Sequence, residues 1–130
     1  MVIDTSALLA MLFGEPECGA IARAVDADPI RMVSAVSVFE AGLVSTARVG
    51  TDGLDDLDLL LTRMHAEIKS FTVRDLPLAR EAFVRFGKGR HRAALNFGDC
   101  FAYALSVSSG EPLLFKGEDF SRTDVLTVKY

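Results

Sequence analysis

Short apolar runs alternate with longer amphipathic stretches along the whole chain. Val2-Ile3 is an apolar pair closed by Asp4, which predicts a brief buried strand. Ser6 is a cap candidate for a helix to about Leu12, and Pro16 suits the first turn of a second helix reaching about Val25. Arg31 to Val33 reads as the next strand, and Ser34 to Ser37 supply caps for a helix over Val38 to Val49. Thr51 or Asp52 can cap a helix from Leu54 to Glu67, where Leu57, Leu60, Leu61 and Met64 recur at helical spacing. Phe71 to Val73 predicts another strand, Asp75 precedes a helix to about Phe86, and a last helix runs from Gly98 to Ser108 with Gly110 as its stop. Apolar Pro112 to Phe115 and β-branched Val125 to Val128 complete the pattern.

Brief buried strands alternating with longer helices predict an α/β domain with a mostly parallel sheet. At 130 residues the chain suits one domain, 1–130, with no repeat or linker to divide it. Half of the residues are hydrophobic and a quarter charged, enough for a core without disulfide or metal staples. The longest apolar run, Ala7 to Phe13, is far short of the roughly 18 residues of a membrane span. The opening residues carry no basic region, so no secretory signal is expected. Cys18 and Cys100 lie far apart without CxxC spacing, and both read as reduced packing residues of a cytoplasmic protein. With 18 acidic against 14 basic side chains the net charge is −4, which argues against nucleic-acid binding through bulk positive charge.

Position changes that picture. Asp55, Asp56, Asp58 and Glu67 fall where solvated helix faces would put them, but four other acids do not. Asp4 ends the first strand. Glu40 stands among Val38, Phe39, Ala41 and Leu43 on a largely apolar helix. Asp99 opens the last helix, and Asp119 follows the apolar Leu113-Leu114-Phe115. Each lies past the carboxyl end of a strand or near a helix N-terminus, the edge where open parallel sheets bind ligands. Taken singly, Asp4 and Asp99 serve equally well as helix caps or first-turn acids, and Asp119 as a turn residue. Gathered together they would repel one another, and a hard divalent cation, magnesium or manganese, relieves that repulsion. One or two such ions can activate water and polarise a phosphodiester.

These residues carry a resemblance. Val2-Ile3-Asp4-Thr5-Ser6-Ala7, the Ser37-x-x-Glu40 helix start, Leu95-Asn96-Phe97-Gly98-Asp99-Cys100-Phe101-Ala102-Tyr103-Ala104 and Leu113-Leu114-Phe115-Lys116-Gly117-Glu118-Asp119-Phe120 together resemble the PIN-domain ribonucleases. The similarity is greatest to the VapC toxins of bacterial toxin–antitoxin pairs, and it covers essentially the whole chain. It implies a three-layer α/β/α sandwich around a short parallel sheet, with an acidic metal pocket. The family's metal-binding acids fall on Asp4 and Asp99, and Glu40 and Asp119 match the rest of its quartet. Asp119 takes the fourth place because it keeps the Asp-Phe pairing, with the adjacent Glu118 as a candidate to share it. The resemblance implies an Mg²⁺- or Mn²⁺-dependent endoribonuclease, an RNA substrate, a cognate antitoxin, and a homodimer that forms a heterotetramer or larger assembly with it.

The supporting residues have two readings each. Thr5 and Ser6 bond to a carboxylate or a scissile phosphate, or else cap the first helix, with capping favoured. Capping is favoured for Ser37 too, while Asn96 either positions a ligand or begins its helix. Lys88, Arg90 and Arg92, with Arg85 close by, are the one concentration of positive charge, either a solvated loop or a contact for RNA phosphates. The helix around Leu54 to Met64 has more apolar positions than a core face needs, which points to a partner surface. A receiver-like signalling domain is the rival from the residues alone, but it needs an acid pair near the first strand and a phosphoacceptor Asp after a middle one. A haloacid-dehalogenase-like phosphatase needs a second Asp where Ser6 stands. A catalytically silent member of the fold that only binds is the third alternative, and the four retained acids argue against it.

Overall fold

The computed structural model describes residues 1–130 and is built on four short strands: β1 (Val2–Ile3), β2 (Met32–Ser34), β3 (Glu67–Lys69) and β4 (Leu113–Leu114). They form one sheet in the order β3-β2-β1-β4, and every neighbouring pair is parallel. Val2 lies opposite Met32 on one side and Leu113 on the other. Six helices connect and cover the strands: α1 (Thr5–Leu12), α2 (Cys18–Ala27), α3 (Ala35–Val49), α4 (Asp52–Arg63), α5 (Leu76–Phe86) and α6 (Phe97–Ser109). A single 3₁₀ turn, Phe120–Arg122, follows β4.

Alternation along each strand builds the three layers. Val2, Met32 and Leu113 face one core, where Ala82 and Phe86 of α5 meet Ala102 and Tyr103 of α6. Their neighbours Ile3, Val33 and Leu114 face the other, against Leu8 of α1, Ile21 of α2, Ala41 of α3 and Leu57 of α4. A strand covered on both faces is apolar at consecutive positions, which is why two or three residues suffice to mark it. Each fully buried aliphatic side chain of this kind contributes about 1.5–3 kcal/mol.

The route of the chain decides where a ligand can enter. From β1 it moves outward through β2 to β3, and then α5 and α6 carry it back to β4 on the far side of β1. The direction of winding therefore reverses between β1 and β4. Connections leave that reversal on opposite sides and open a crevice at the carboxyl ends of the strands.

Several boundaries depart from the expected ones. The strand expected at Phe71 to Val73 lies instead at Glu67–Lys69. Thr72 donates through both its backbone N–H and its hydroxyl to Asp75 Oδ2, at 2.8 and 2.7 Å, which folds that segment into a turn. Phe71 packs edge-on against Phe101 at 4.6 Å rather than pairing in the sheet. The true strand is a polar, largely exposed sheet edge with no hydrophobic pattern to betray it. Consequently Glu67 belongs to an edge strand and not to a helix. Val125 to Val128 contributes only an isolated bridge, Leu113 to Thr127. No helix is long and apolar enough to cross a membrane.

Helix α4 stops short of the expected Glu67 because His65 adopts the left-handed conformation, at φ 51°. Around it His65 N–H bonds to the Thr62 carbonyl and Ala66 N–H to the Leu61 carbonyl, each at 3.0 Å, the paired bonds of a Schellman stop. Glycine is the residue suited to that position. Replacing His65 with Gly should therefore raise the unfolding free energy in urea by about 1 kcal/mol. An equal loss would show that the imidazole holds this turn together.

Candidate functional site

Asp4 is the first residue beyond β1 and caps α1. Its Oδ2 accepts from the Ser6 backbone N–H at 2.9 Å and from the Ser6 hydroxyl at 2.6 Å. Ser6 is thus the donor to the cap and not the cap itself. Its hydroxyl oxygen also accepts from the Lys116 backbone N–H at 2.9 Å, tying the end of β1 to the segment after β4. The other oxygen, Asp4 Oδ1, is buried and has no hydrogen-bond partner, although Asp4 is only 3% exposed. Burial pushes this carboxyl above the usual range; the Ser6 bonds oppose the shift and the charge of Glu40 adds to it.

Thr5 does not cap α1 either. Its hydroxyl donates to Glu40 Oε2 at 2.6 Å and approaches the Ser37 carbonyl at 3.5 Å. The cap of α3 is Ser34, whose hydroxyl accepts from Val36 N–H at 3.2 Å, so the capping role expected of Ser37 falls to Ser34. Ser37 sits a turn inside, and its buried Oγ has no partner. Glu40 follows one turn later on α3, with its carboxylate between Thr5 and the first turn of α6.

At α6 the capping readings of Asn96 and Asp99 are met, and both residues also line the pocket. Asn96 Oδ1 accepts from Asp99 N–H at 2.9 Å, and Asp99 Oδ2 accepts from Asn96 N–H at 2.7 Å, a reciprocal capping box. The box fixes the direction of the Asp99 side chain. Desolvation raises the Asp99 carboxyl to about 7, with further upward pushes from the charges of Asp4, Asp119 and Glu40. Asp119 opens the 3₁₀ turn, makes no capping bond and is exposed. Glu118 is turned away into an ion pair with Arg122 at 2.5 Å, so Asp119 and not Glu118 reaches the pocket.

One cavity of about 230 Å³ is lined by Asp4, Glu40, Asp99 and Asp119 together with Thr5, Ser6, Asn96 and Lys116. Four carboxylates from four separate segments thus share one opening at the β1–β4 reversal. Lys116 had no signal in the sequence beyond following β4, yet it is the one cation lining this pocket. Its ammonium is paired with Glu15 and, at 3.4 Å, with Glu17. A larger cavity between α5 and α6, about 530 Å³, is lined by apolar side chains such as Phe83, Phe97 and Phe101 and holds no carboxylate.

No three acids are drawn together at metal-ligand spacing. The donor set nonetheless fits a divalent cation of the magnesium type, which keeps most of its water and takes one or two carboxylates. The unpartnered Asp4 Oδ1 and the protonation-prone Asp99 are the two groups such an ion would satisfy. Lys88, Arg90 and Arg92 are exposed on a loop closed by the Gly87–Leu95 bridge, and none of them lines the pocket. That loop reaches toward Asp119 through a bond from Arg122 Nη1 to the Arg92 carbonyl at 3.1 Å. Arg85 is occupied by Glu81 and Asp124, at 3.0 and 2.7 Å, and takes no part in the patch.

Comparison with known proteins identifies the family and the fold. The family model of the PIN domain matches residues 1–126. Over 128 residues the chain is 52% identical to ribonuclease VapC30 of Mycobacterium tuberculosis, covering 98% of each. It is 49% identical to a ribonuclease VapC of Mycolicibacterium smegmatis, covering 98% of this chain and 99% of that one. Among solved structures, M. tuberculosis VapC20, described as a toxin cleaving the sarcin-ricin loop, superposes with a TM-score of 0.81 at 19% identity over 99% of this chain and 98% of its own. VapBC2 of Rickettsia felis, bound to a fragment of promoter DNA, gives 0.76 at 13% identity over 98% and 96%.

The raised Asp99 carboxyl has a consequence for stability. Between its unfolded value near 4 and its folded value of about 7 the folded state binds the extra proton, so stability from this group falls as pH rises through that window. In chelator-treated protein, the stability of wild type relative to Asp99→Asn should therefore decline from about pH 4.5 to about pH 7.5. A flat difference in chemical-denaturation midpoints across that range would remove the electrostatic account of the site.

Proposed function

The chain belongs to the PIN domain family and, within it, to the VapC ribonucleases, and on that premise we propose how its acidic pocket hydrolyses RNA. The observation that carries the proposal is the convergence of Asp4, Glu40, Asp99 and Asp119 on one cavity, with a buried Asp4 oxygen left unpartnered. Asp4 and Asp99 would hold a divalent cation, Mg²⁺ or Mn²⁺. When bound, such an ion polarises a phosphodiester oxygen and lowers the pKa of water.

The protein's own groups prepare the rest. Ser6 occupies Asp4 Oδ2 with two donors and leaves Oδ1 for the ligand. Asn96 holds Asp99 from the backbone side of α6. Glu40, fixed by the Thr5 hydroxyl, orients the attacking water and takes its proton as the new P–O bond forms in line. The bond from phosphorus to the leaving sugar oxygen breaks, and that oxygen takes a proton from solvent. Asp119, exposed at the rim, completes the acidic ring.

The proposed RNA path runs from the pocket to the separate basic loop of Lys88, Arg90 and Arg92. Arg90 lies over the Phe83 ring at 5.5 Å, leaving the guanidinium edge open to phosphate. The VapC relatives and the VapBC2 neighbour support a cognate antitoxin as partner, and action on RNA calls for a cytoplasmic site. The exposed apolar strip shared by α3 and α4, with Phe39, Leu43 and Leu54, is the surface we assign to protein partners, either that antitoxin or a second copy in a homodimer. Assembly with antitoxin then gives a heterotetramer or a larger complex.

Asp4→Asn and Asp99→Asn should each lower metal-dependent RNA cleavage by at least about 100-fold, about 2.7 kcal/mol of transition-state stabilisation. Thermal unfolding should show both variants folded; full activity in a chelated and repurified Asp4→Asn sample would refute the mechanism. Replacing Lys88, Arg90 and Arg92 with Gln should weaken binding to uncleaved RNA and flatten its salt dependence. The slope should fall by about 0.7 for each phosphate of a single strand that the loop no longer neutralises. An unchanged slope would place the RNA path elsewhere.

A further inference from the structure

Gly98 is the second residue of α6, buried, with Asn96 capping the helix before it and Asp99 immediately after. Its backbone is ordinary helix, so no special dihedral calls for glycine there. In the first turn of a helix, glycine is the poorer choice by backbone entropy, and alanine would stabilise by up to about 1 kcal/mol. What excludes alanine is Glu40. A Cβ on Gly98 would lie 2.3 Å from Glu40 Oε2, 2.5 Å from Oε1 and 2.6 Å from Cδ, overlapping the whole carboxylate.

The carboxylate is the far end of a flexible side chain, and to make room for a Cβ it must leave the Thr5 hydroxyl. Thr5 holds Oε2 from one side at 2.6 Å, and the α3 backbone that carries Glu40 packs against both α1 and α6. The carboxylate is therefore clasped between the Thr5 hydroxyl and the bare Cα of Gly98. The geometry points to Gly98 as a positioning residue: the absence of its side chain is the seat that keeps the Glu40 carboxylate inside the pocket beside Asp99. This rests on the assignment of Glu40 to the RNA-cleaving site and explains how the fold holds it there.

The seat has consequences of opposite sign to helix propensity. Gly98→Ala should lower the melting temperature of the metal-free protein, whereas propensity alone would raise it. In a Glu40→Ala background the seat is empty, and the same Gly98→Ala change should leave the melting temperature unchanged or raise it. Gly98→Ala should also reduce kcat for RNA cleavage about as much as Glu40→Gln does, with KM for RNA little altered. Glu40→Asp, shorter by one methylene, should restore part of the melting temperature forfeited by Gly98→Ala.

A drop in melting temperature that is the same in the wild-type and Glu40→Ala backgrounds would make Gly98 a packing residue of α6 alone and overturn the proposal. So would a Gly98→Ala protein with wild-type melting temperature and kcat. Should Glu40→Gln cleave RNA at the wild-type rate, the catalytic assignment of Glu40 fails. The melting-temperature cycle would then still report on the seat by itself.

Discussion

Four carboxylates in one pocket repel one another, and the rest of the site is arranged around that repulsion. Asp4 is buried with an oxygen unpartnered, and Asp99 is pushed to about 7 by desolvation and by its three acidic neighbours. A protein interior ordinarily avoids both conditions, because a desolvated charge without a partner is costly. Here the discomfort is retained, and under the proposed function it is what a divalent cation would relieve. Most of the hydrogen bonding around the pocket serves to hold the acids in place despite it.

The holding groups are small and local. Two hydroxyls next to Asp4 in the chain divide the work, Ser6 restraining Asp4 and Thr5 restraining Glu40. Ser6 also receives the Lys116 backbone N–H, which adds a side-chain tie to the backbone bond from Asp4 N–H to the Leu114 carbonyl. At α6 the capping box that starts the helix also aims Asp99. Gly98 leaves room for Glu40 where any side chain would occupy the same space. Asp4, Asp99 and Asn96 each take part in a helix cap and also line the pocket, so the capping role does not compete with the proposed ligand role.

The net charge of −4 pointed away from nucleic acid when read as a sum. Read by place, part of that charge is gathered in one pocket, and a cation held there as proposed would reverse the local sign where a phosphate must sit. The basic loop is set apart from the pocket, and the large apolar cavity between α5 and α6 is set apart from both. Bulk charge informs solubility, whereas function depends on which charges share an edge of the sheet.

Much of this was legible in the chain itself. The doubly buried strands announced themselves as apolar runs, the alternation of strand and helix implied the parallel sheet, and the four acids stood out by lying just past strands or near helix starts. Edge strand β3 was not legible, because a half-solvated polar strand has no hydrophobic period, and a left-handed His65 ended α4 where composition suggested continuation. Contacts between residues distant in sequence were also hidden: Thr5 with Glu40, Ser6 with Lys116, and Gly98 beneath Glu40. Local periodicity and residue chemistry thus determined the elements and nominated the acids. Only the tertiary structure decided which acid faces the pocket, which hydroxyl holds it and why glycine must stand beside it, since those outcomes depend on distances across the sheet that no local pattern encodes.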